Sequence, residues 1–279
     1  MTSWPSPKSS EPPFRKAPDA DGPAREQRTA PAPVAAGATV SANLTIVRSL
    51  PPRSVGPSDL ERSLYEQFAR VGMALASPGR VALVDLLCQG ERGVDALALA
   101  AGMSLKNASA QLRELRLAGL VESRREGTRV YYRVAEEAVC AFFSDFRNLA
   151  RRRLAEVDRL VRDSLVAVDD LEPVRRAELL GRLASGEVVV FDVRPREEYE
   201  AGHVPGARSV PLEELDARLA GIPRNVEIVA YCRGPYCVLA PQAVAVCRTR
   251  GLVARRLEDG FPEWRLAGLP VATGSEAAA

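Results

Sequence analysis

The sequence predicts two folded domains behind a disordered tail: a mainly-α domain closed by a β-hairpin, then an α/β domain built on a parallel sheet. Three observations carry this. Residues 1–57 hold 11 of the 21 prolines and no sustained apolar period, too little apolar surface to offset the entropy of ordering a chain. Residues 58–135 read as short helices followed by two β-rich runs. From residue 173 short apolar strands alternate with helices, as in a parallel sheet. The expected boundaries are a tail at 1–57, a first domain at 58–168, a second at 169–272 and a flexible end at 273–279.

The first domain opens at "PSDLERSLYEQF", where Ser58 and Glu61 have the spacing of a capping box. "SPGRVALVDLLCQ" predicts a second helix with Ser77 as N-cap and Pro78 at its first position. "GVDALALAAGM" suits a short helix ending at Gly102, and "SLKNASAQLRELRLAGL" a longer one capped by Ser104. In the latter Leu105, Ala108, Leu112 and Leu115 share a face. Lys106, Asn107, Ala110 and Arg113 then point outward, with Ser109 and Gln111 at the flanks. "LVESR" and "TRVYYRV", joined through "EGT", predict a hairpin.

Residues 104–133 carry seven cationic and three acidic side chains, a local charge of +4 in a chain whose formal net charge is only +2. Cations on a helix and an adjoining hairpin are the footprint expected for duplex DNA, the helix entering the major groove and the hairpin touching phosphates. Lys106, Asn107, Ser109, Gln111, Arg113, Arg124, Arg125 and Arg129 are the candidate contacts. The competing reading is a solvated charged face.

A long amphipathic helix is expected from Glu136 toward "LVAVDDLEP". Val139, Phe142, Phe143, Phe146, Leu149, Leu154, Val157, Leu160 and Val161 form its apolar stripe. So long a stripe exceeds what a small domain can cover, so a homodimer interface is expected.

In the second domain "VVVFDV", "ARSVP", "EIVAYC" and "VARRLE" predict strands; "PREEYEAG", "LEELDARLAG", "VLAPQAVAVCRTRG" and "FPEWRLAG" predict helices. Ligands in such sheets collect beyond the carboxyl ends of strands. Cys232 stands there, in "YCRGPYCVLAP". Amides at a helix N-terminus lower a cysteine pKa and make it nucleophilic. Gly234 and Pro235 allow a compact loop through Tyr236 and Val238, and Arg233 adds a charge for an anionic substrate. Asp192 and Arg194 are expected to brace the loop, His203 to hold a turn and Cys247 to lie in the core.

Bulk properties exclude several classes. No run approaches the roughly 18 apolar residues of a membrane span, and the N-terminal stretch lacks the apolar core of a secretory signal. Five cysteines in 279 residues do not read as an extracellular disulfide framework, so a cytoplasmic setting is expected. Two cysteines without nearby histidines do not make a zinc site; no metal and no cofactor is expected.

"FDVRPREEYEAGHVPGARSVPLEEL", "VAYCRGPYC" and "LEDGFPEWRLAGLP" together resemble a single rhodanese (sulfurtransferase) domain over about residues 170–272. The resemblance implies a persulfide-carrying Cys232 with the amides of 233–237 around the transferred sulfur, and a small donor such as thiosulfate or a persulfide. Phosphatases and arsenate reductases of this fold use Cys-x5-Arg; here that Arg position is Val238, which argues against their chemistry. Many sulfurtransferases end the loop with a basic or hydroxyl residue, where this chain has Cys237. That residue is open to two readings: a thiol that resolves a Cys232 persulfide into a disulfide, or a small residue at a helix start.

"ASPGRVALVDLL", "LALAAGMS" and "LRELRLAGLVESRREGTRVYYRV", with the terminal helix, resemble the ArsR/SmtB winged helix-turn-helix repressors. That implies a homodimer on a palindromic duplex operator, released by an inducer. Leu105 and Ala110 stand where relatives often carry polar groups. The family's metal ligands are missing: the short helix has no cysteine and the module no histidine. Some relatives sense persulfides through cysteines on the second and last helices. Cys88 and Cys140 lie on those helices, but one near a helix end and the other near a helix start, which favours core packing.

The expectation is a DNA-binding regulator, a repressor, whose operator affinity depends on sulfur loading or oxidation at Cys232. Two alternatives stand beside it: a sulfurtransferase whose DNA-binding module is secondary, and an idle rhodanese domain used for interaction.

Overall fold

The computed structural model describes residues 58–161, 163 and 172–275; the tail at 1–57, the expected boundary at 168 and residues 276–279 lie outside them. Helix α1 (Asp59–Leu75) starts at a complete capping box, Glu61 N donating to Ser58 Oγ and Ser58 N to the Glu61 carboxylate. Helix α2 (Pro78–Leu87) follows with Ser77 at its N-cap and Pro78 at its first position. Strand β1 (Arg92–Gly93) leads into α3 (Val94–Ala100), and α4 (Leu105–Leu117) is capped by the Ser104 side chain, which accepts from Asn107 N.

Strands β2 (Val121–Glu126) and β3 (Arg129–Val134) pair antiparallel, Glu126 opposite Arg129, leaving a two-residue turn. Gly127 takes φ +59° there, the first turn position at which a II′ hairpin requires glycine. β1 adds to the other edge of β3. Leu83, Leu87, Leu97, Leu112, Leu115 and Phe143 form the core of this three-stranded, helix-covered module. Leu105 departs from the expected inward face: it is 52% exposed, because the first turn of α4 projects beyond the helices that bury Ala108, Leu112 and Leu115.

The last helix is two helices, not one. α5 (Glu137–Arg153) ends where Leu154 turns extended (φ −113°, ψ 102°), and α6 (Ala155–Val161) resumes. Arg151, Arg152 and Arg153 occupy the last turn of α5, where cations complement the helix dipole.

The second domain begins with α7 (Arg176–Ala184), an element absent from the sequence reading. Then come β4 (Val188–Asp192), α8 (Arg196–Ala201), β5 (Arg208–Ser209), a 3₁₀ turn running into α9 (Leu215–Arg218), β6 (Glu227–Tyr231), α10 (Leu239–Thr249), β7 (Ala254–Arg256) and α11 (Phe261–Leu266). The sheet is parallel throughout, in the order β5-β4-β6-β7. Both faces are covered, one by α9 and α10 and the other by α7 and α11. The two central strands, β4 and β6, are accordingly almost wholly apolar, as strands buried on both faces must be, whereas the outer strands β5 and β7 carry Arg208, Arg255 and Arg256. Gly274 N donates to Glu200 O, and Ala272 bridges to His203.

The two domains touch through α2 and α5 on one side and α8, the Cys232 loop and α11 on the other. Leu266 packs against the core of the first domain. The Gly90 backbone passes so close to α8 that a Cβ would stand 2.7 Å from Ala201 Cβ. Arg92 of β1 pairs with the buried Glu198 of α8 at 2.5 Å.

Candidate functional site

Parallel pairing with β4 and β7 fixes β6 in the middle of the sheet, and Cys232 follows its last residue. The loop 233–238 closes over it with Cys237 N donating to Gly234 O at 3.1 Å. Cys232 is only 3% exposed. Burial raises its thiol far above the ordinary value and Cys237 adds to this, against smaller lowering by the amides of Ala240 and Gly234. Cys237 moves the other way, to about 7, chiefly because its sulfur accepts from the Cys232 thiol; amides of Leu239 and Arg233 help, against burial. The expected lowering at Cys232 is therefore inverted: desolvation outweighs the helix amides there. Of the two, Cys237 is therefore the thiolate near neutrality, while Cys232 keeps its proton.

This has a measurable consequence. A lowered pKa keeps the Cys237 thiolate at pH values above about 7 and loses it below. Alkylation of Cys237, followed peptide by peptide, is expected to rise through that pH. Cys232→Ala removes the donating thiol and should move the rise upward. A rise centred near the ordinary 9 in the unaltered protein would show that the Cys232 thiol does not lower Cys237.

Beneath the loop, Arg194 is fully buried and donates to both Asp192 carboxylate oxygens, to Gly202 O and to Gln89 Oε1. Tyr231 Oη donates to Asp192 at 2.6 Å and accepts from Val204 N. His203 pairs in a β-bridge with Ala272 just ahead of the turn at Pro205 and Gly206, with Nδ1 2.8 Å from Tyr199 O and its ring stacked on Tyr199. Arg233 does not stand free: it donates to Glu198 in a bidentate pair, and Arg92 shares that carboxylate. Cys247 is buried in the core, as expected.

Sequence reasoning missed the residues that the first domain brings to this loop. Gln89, 1% exposed, donates to Arg233 O and accepts from Arg194. Arg147 of α5 donates to Asp85 of α2 at 2.7 Å and to Glu263 of α11 at 2.5 Å. A pocket of about 300 Å³ opens between Asp85 and Arg147 on one wall and Arg233, Tyr236 and Cys237 on the other. No local pattern announces these contacts, since each joins segments far apart in the chain.

Cys88 and Cys140 are both buried in the core, each 2% exposed, as expected, and they are also bonded to one another. The C-terminal end of α2 meets the first turn of α5, so a helix end and a helix start are what brings the two together. Their Cα atoms are 5.6 Å apart and their sulfurs are joined in a disulfide, buried in the core of the first domain. Arg265 of α11 covers the pair, donating to Cys88 O at 3.1 Å and reaching Cys140 Sγ at 3.7 Å.

On the opposite side, Lys106, Asn107, Ser109 and Arg113 are exposed along α4. Gln111 is half-buried and held by Arg80 and Asn107. In the wing, Arg124 is paired with Glu91 and Glu126, Arg125 donates to Gly127 O, and Arg129 is held by Tyr131. The exposed face thus presents Lys106 and Arg113 most freely, with the wing arginines held in place by neighbours. Among the described residues no helix is long and apolar enough to cross a membrane, and no cluster of metal-ligating side chains occurs.

Residues 77–123 match the family model for bacterial regulatory proteins of the arsR family, and residues 175–267 match the rhodanese-like domain. The HTH-type transcriptional regulator Rv0324 of Mycobacterium tuberculosis is 52% identical over 220 residues, spanning 79% of this chain and 96% of that one. The human thiosulfate:glutathione sulfurtransferase is 33% identical over 100 residues, 31% of this chain and 87% of its own length. A solved homodimeric winged helix-turn-helix DNA-binding domain, from a possible ArsR-family regulator of Mycobacterium bovis, is 51% identical. It covers 36% of this chain and 93% of that one, with a TM-score of 0.33. The helix-turn-helix and wing of the first domain and the parallel sheet of the second thus find their counterparts in sequence as well, and the chain belongs to the ArsR family of DNA-binding transcriptional regulators, with a rhodanese domain at its C-terminal side.

Proposed function

We propose that this regulator is a repressor whose operator affinity is set by sulfur at the Cys232–Cys237 pair. The observation that carries the reading is Gln89. Its carboxamide joins Arg233 O, next to Cys232, to Arg194, and it directly follows Cys88 at the end of α2. Any change of the loop on acquiring a sulfur atom therefore acts on the helix that ends against β1 and α3.

The chemistry balances with a thiosulfate-type donor. Cys237 thiolate takes the proton of Cys232, whose sulfur attacks the outer sulfur of thiosulfate. The S–S bond of the donor breaks, sulfite leaves with its electron pair, and Cys232 carries a persulfide. If Cys237, again deprotonated, attacks the Cys232 sulfur, hydrosulfide leaves and a Cys232–Cys237 disulfide closes. The Cys88–Cys140 pair supports a second thiol-dependent element within the DNA-binding module, since disulfides in a reducing compartment are commonly redox-sensing.

The regulator acts as a homodimer. Phe142, Phe146 and Leu149 on α5, Leu154 at the break, Leu160 on α6, and Leu60, Leu64, Tyr65 and Phe68 on α1 are exposed apolar side chains, more than a monomer ordinarily leaves uncovered.

The test is affinity for DNA from the protein's own promoter at fixed salt, since phosphate contacts make binding salt-dependent. Reduced protein is compared with protein treated with a polysulfide, alongside Cys232→Ser and Cys88→Ser. The expected result is about a tenfold loss on treatment, about 1.4 kcal/mol of coupling, that disappears in Cys232→Ser. Equal affinity in all forms would remove the switch. Loss abolished by Cys88→Ser alone would move the sensor to the Cys88–Cys140 pair.

A further inference from the structure

The pocket over the Cys232 loop has walls from both domains, and its polar groups are not all satisfied. Arg147 spends its two terminal nitrogens on Asp85 and Glu263, but its Nε is buried without a hydrogen-bond partner. Tyr236 Oη is buried without one as well. Both side chains line the pocket, and the guanidinium lies 5.8 Å from the Tyr236 ring centre. Two unsatisfied donor groups lining the pocket from its two sides call for a ligand rich in acceptors. The loop's own cation is not free to supply the charge, because Arg233 is fixed on Glu198.

Resting on the reading of the Cys232–Cys237 pair as a sulfur acceptor, we propose that Arg147, from the DNA-binding domain, is the residue that recognises the anionic end of the sulfur donor. The sulfonate-like end of a thiosulfate-class donor takes the guanidinium fork from Glu263 and Asp85 and accepts from Tyr236 Oη. The outer sulfur is left toward the thiolate of the loop. Burial raises both carboxylates from their ordinary values, so either takes up a proton more readily than a surface carboxylate once the anion has displaced it.

The arrangement also says why the donor site is divided between domains. Asp85 precedes Cys88 by one turn at the end of α2, and Arg147 follows Cys140 by two turns on α5. An anion that pulls Arg147 off Asp85 loosens the tie between the two helices that hold the Cys88–Cys140 pair. Occupancy of the pocket is thereby felt in the DNA-binding domain before any sulfur is transferred.

The test uses the full-length protein and thiosulfate itself, reading Cys232 persulfide by mass spectrometry against thiosulfate concentration. Arg147→Gln is expected to raise the half-saturating concentration about tenfold, the worth of one charge-assisted hydrogen bond. Alkylation by the neutral reagent iodoacetamide should remain at its wild-type rate, showing an intact loop. Glu263→Gln removes the carboxylate that competes with the donor and should lower the half-saturating concentration, a direction that a folding defect does not produce. Unchanged half-saturation in both variants, or a rise in Glu263→Gln, overturns the assignment of Arg147 while leaving sulfur acceptance intact. Absence of any persulfide on the unaltered protein would instead overturn the reading on which the proposal rests.

Discussion

Asp192→Ala is expected to destabilise the rhodanese domain by about 3–5 kcal/mol, the usual consequence of removing one partner of a buried ion pair. Asp192 and Arg194 are both fully buried. The carboxylate accepts from the Arg194 amide, from its Nε and terminal nitrogen, and from Tyr231 Oη. Without it, Arg194 keeps only Gly202 O and Gln89 Oε1 as partners. A buried lysine would escape by losing its proton; a guanidinium does not. Tyr231 Oη would still accept from Val204 N but would have no acceptor of its own. Urea unfolding of the purified protein measures the loss. Combining Asp192→Ala with Arg194→Met should recover much of it, because a neutral apolar pair has no desolvated charge to compensate. A single-variant loss below about 1 kcal/mol would mean that water reaches Arg194 and takes over from the carboxylate.

Features that were legible in the sequence are those whose causes are local. The Ser58–Glu61 box, Pro78 at a first helical position and the Ser104 cap each involve residues within one turn. The β6 strand could be read because "EIVAYC" has no competing helical period. Leu105 was misread because an apolar residue in the right phase was assumed to meet a partner; at the first turn of α4 none is there. Helix α7 was overlooked although Leu179, Leu180 and Leu183 have helical spacing, since charged residues surround them. The break at Leu154 has no glycine or proline to mark it.

The candidate site was legible only in part for the same reason. Cys232, Cys237 and the loop between them form a continuous segment with a recognisable pattern. The charge state of the pair was not legible, because it depends on how deeply the loop is buried, which no window of sequence states. Gln89, Asp85 and Arg147 carry no motif at all; they become part of the site only because α2 and α5 pack on the loop and α11. Cys88 and Cys140 show the limit most plainly. Their place in the core was read correctly, but the bond between them was not, because it arises only from the way the end of α2 meets the start of α5.

Gly260→Ala is expected to slow sulfur loading of Cys232 about 100-fold, the order of loss that a misplacement near 1 Å produces at a reacting centre. The backbone at Gly260 has φ −113°, a conformation open to any residue, so the requirement is one of space alone. A Cβ at that position would overlap the backbone of Arg233 and Gly234. Backbone atoms of a short loop cannot turn aside as a side chain can, so either the loop or the start of α11 must move. The latter is held by Phe261 N donating to Cys232 O at 3.1 Å and by Trp264, which is buried in the core. The loop therefore yields, and it yields toward Arg147, whose NH1 lies 3.4 Å from where a Gly234 Cβ would stand. Sulfur loading and operator affinity should consequently change together in this variant, since Arg147 belongs to α5. Gly221→Ala is the control: no atom lies within 4 Å of its added Cβ, and loading should proceed at the wild-type rate. A Gly260→Ala protein that loads sulfur normally would show that the loop has slack, and that its close contact with the start of α11 does not position Cys232.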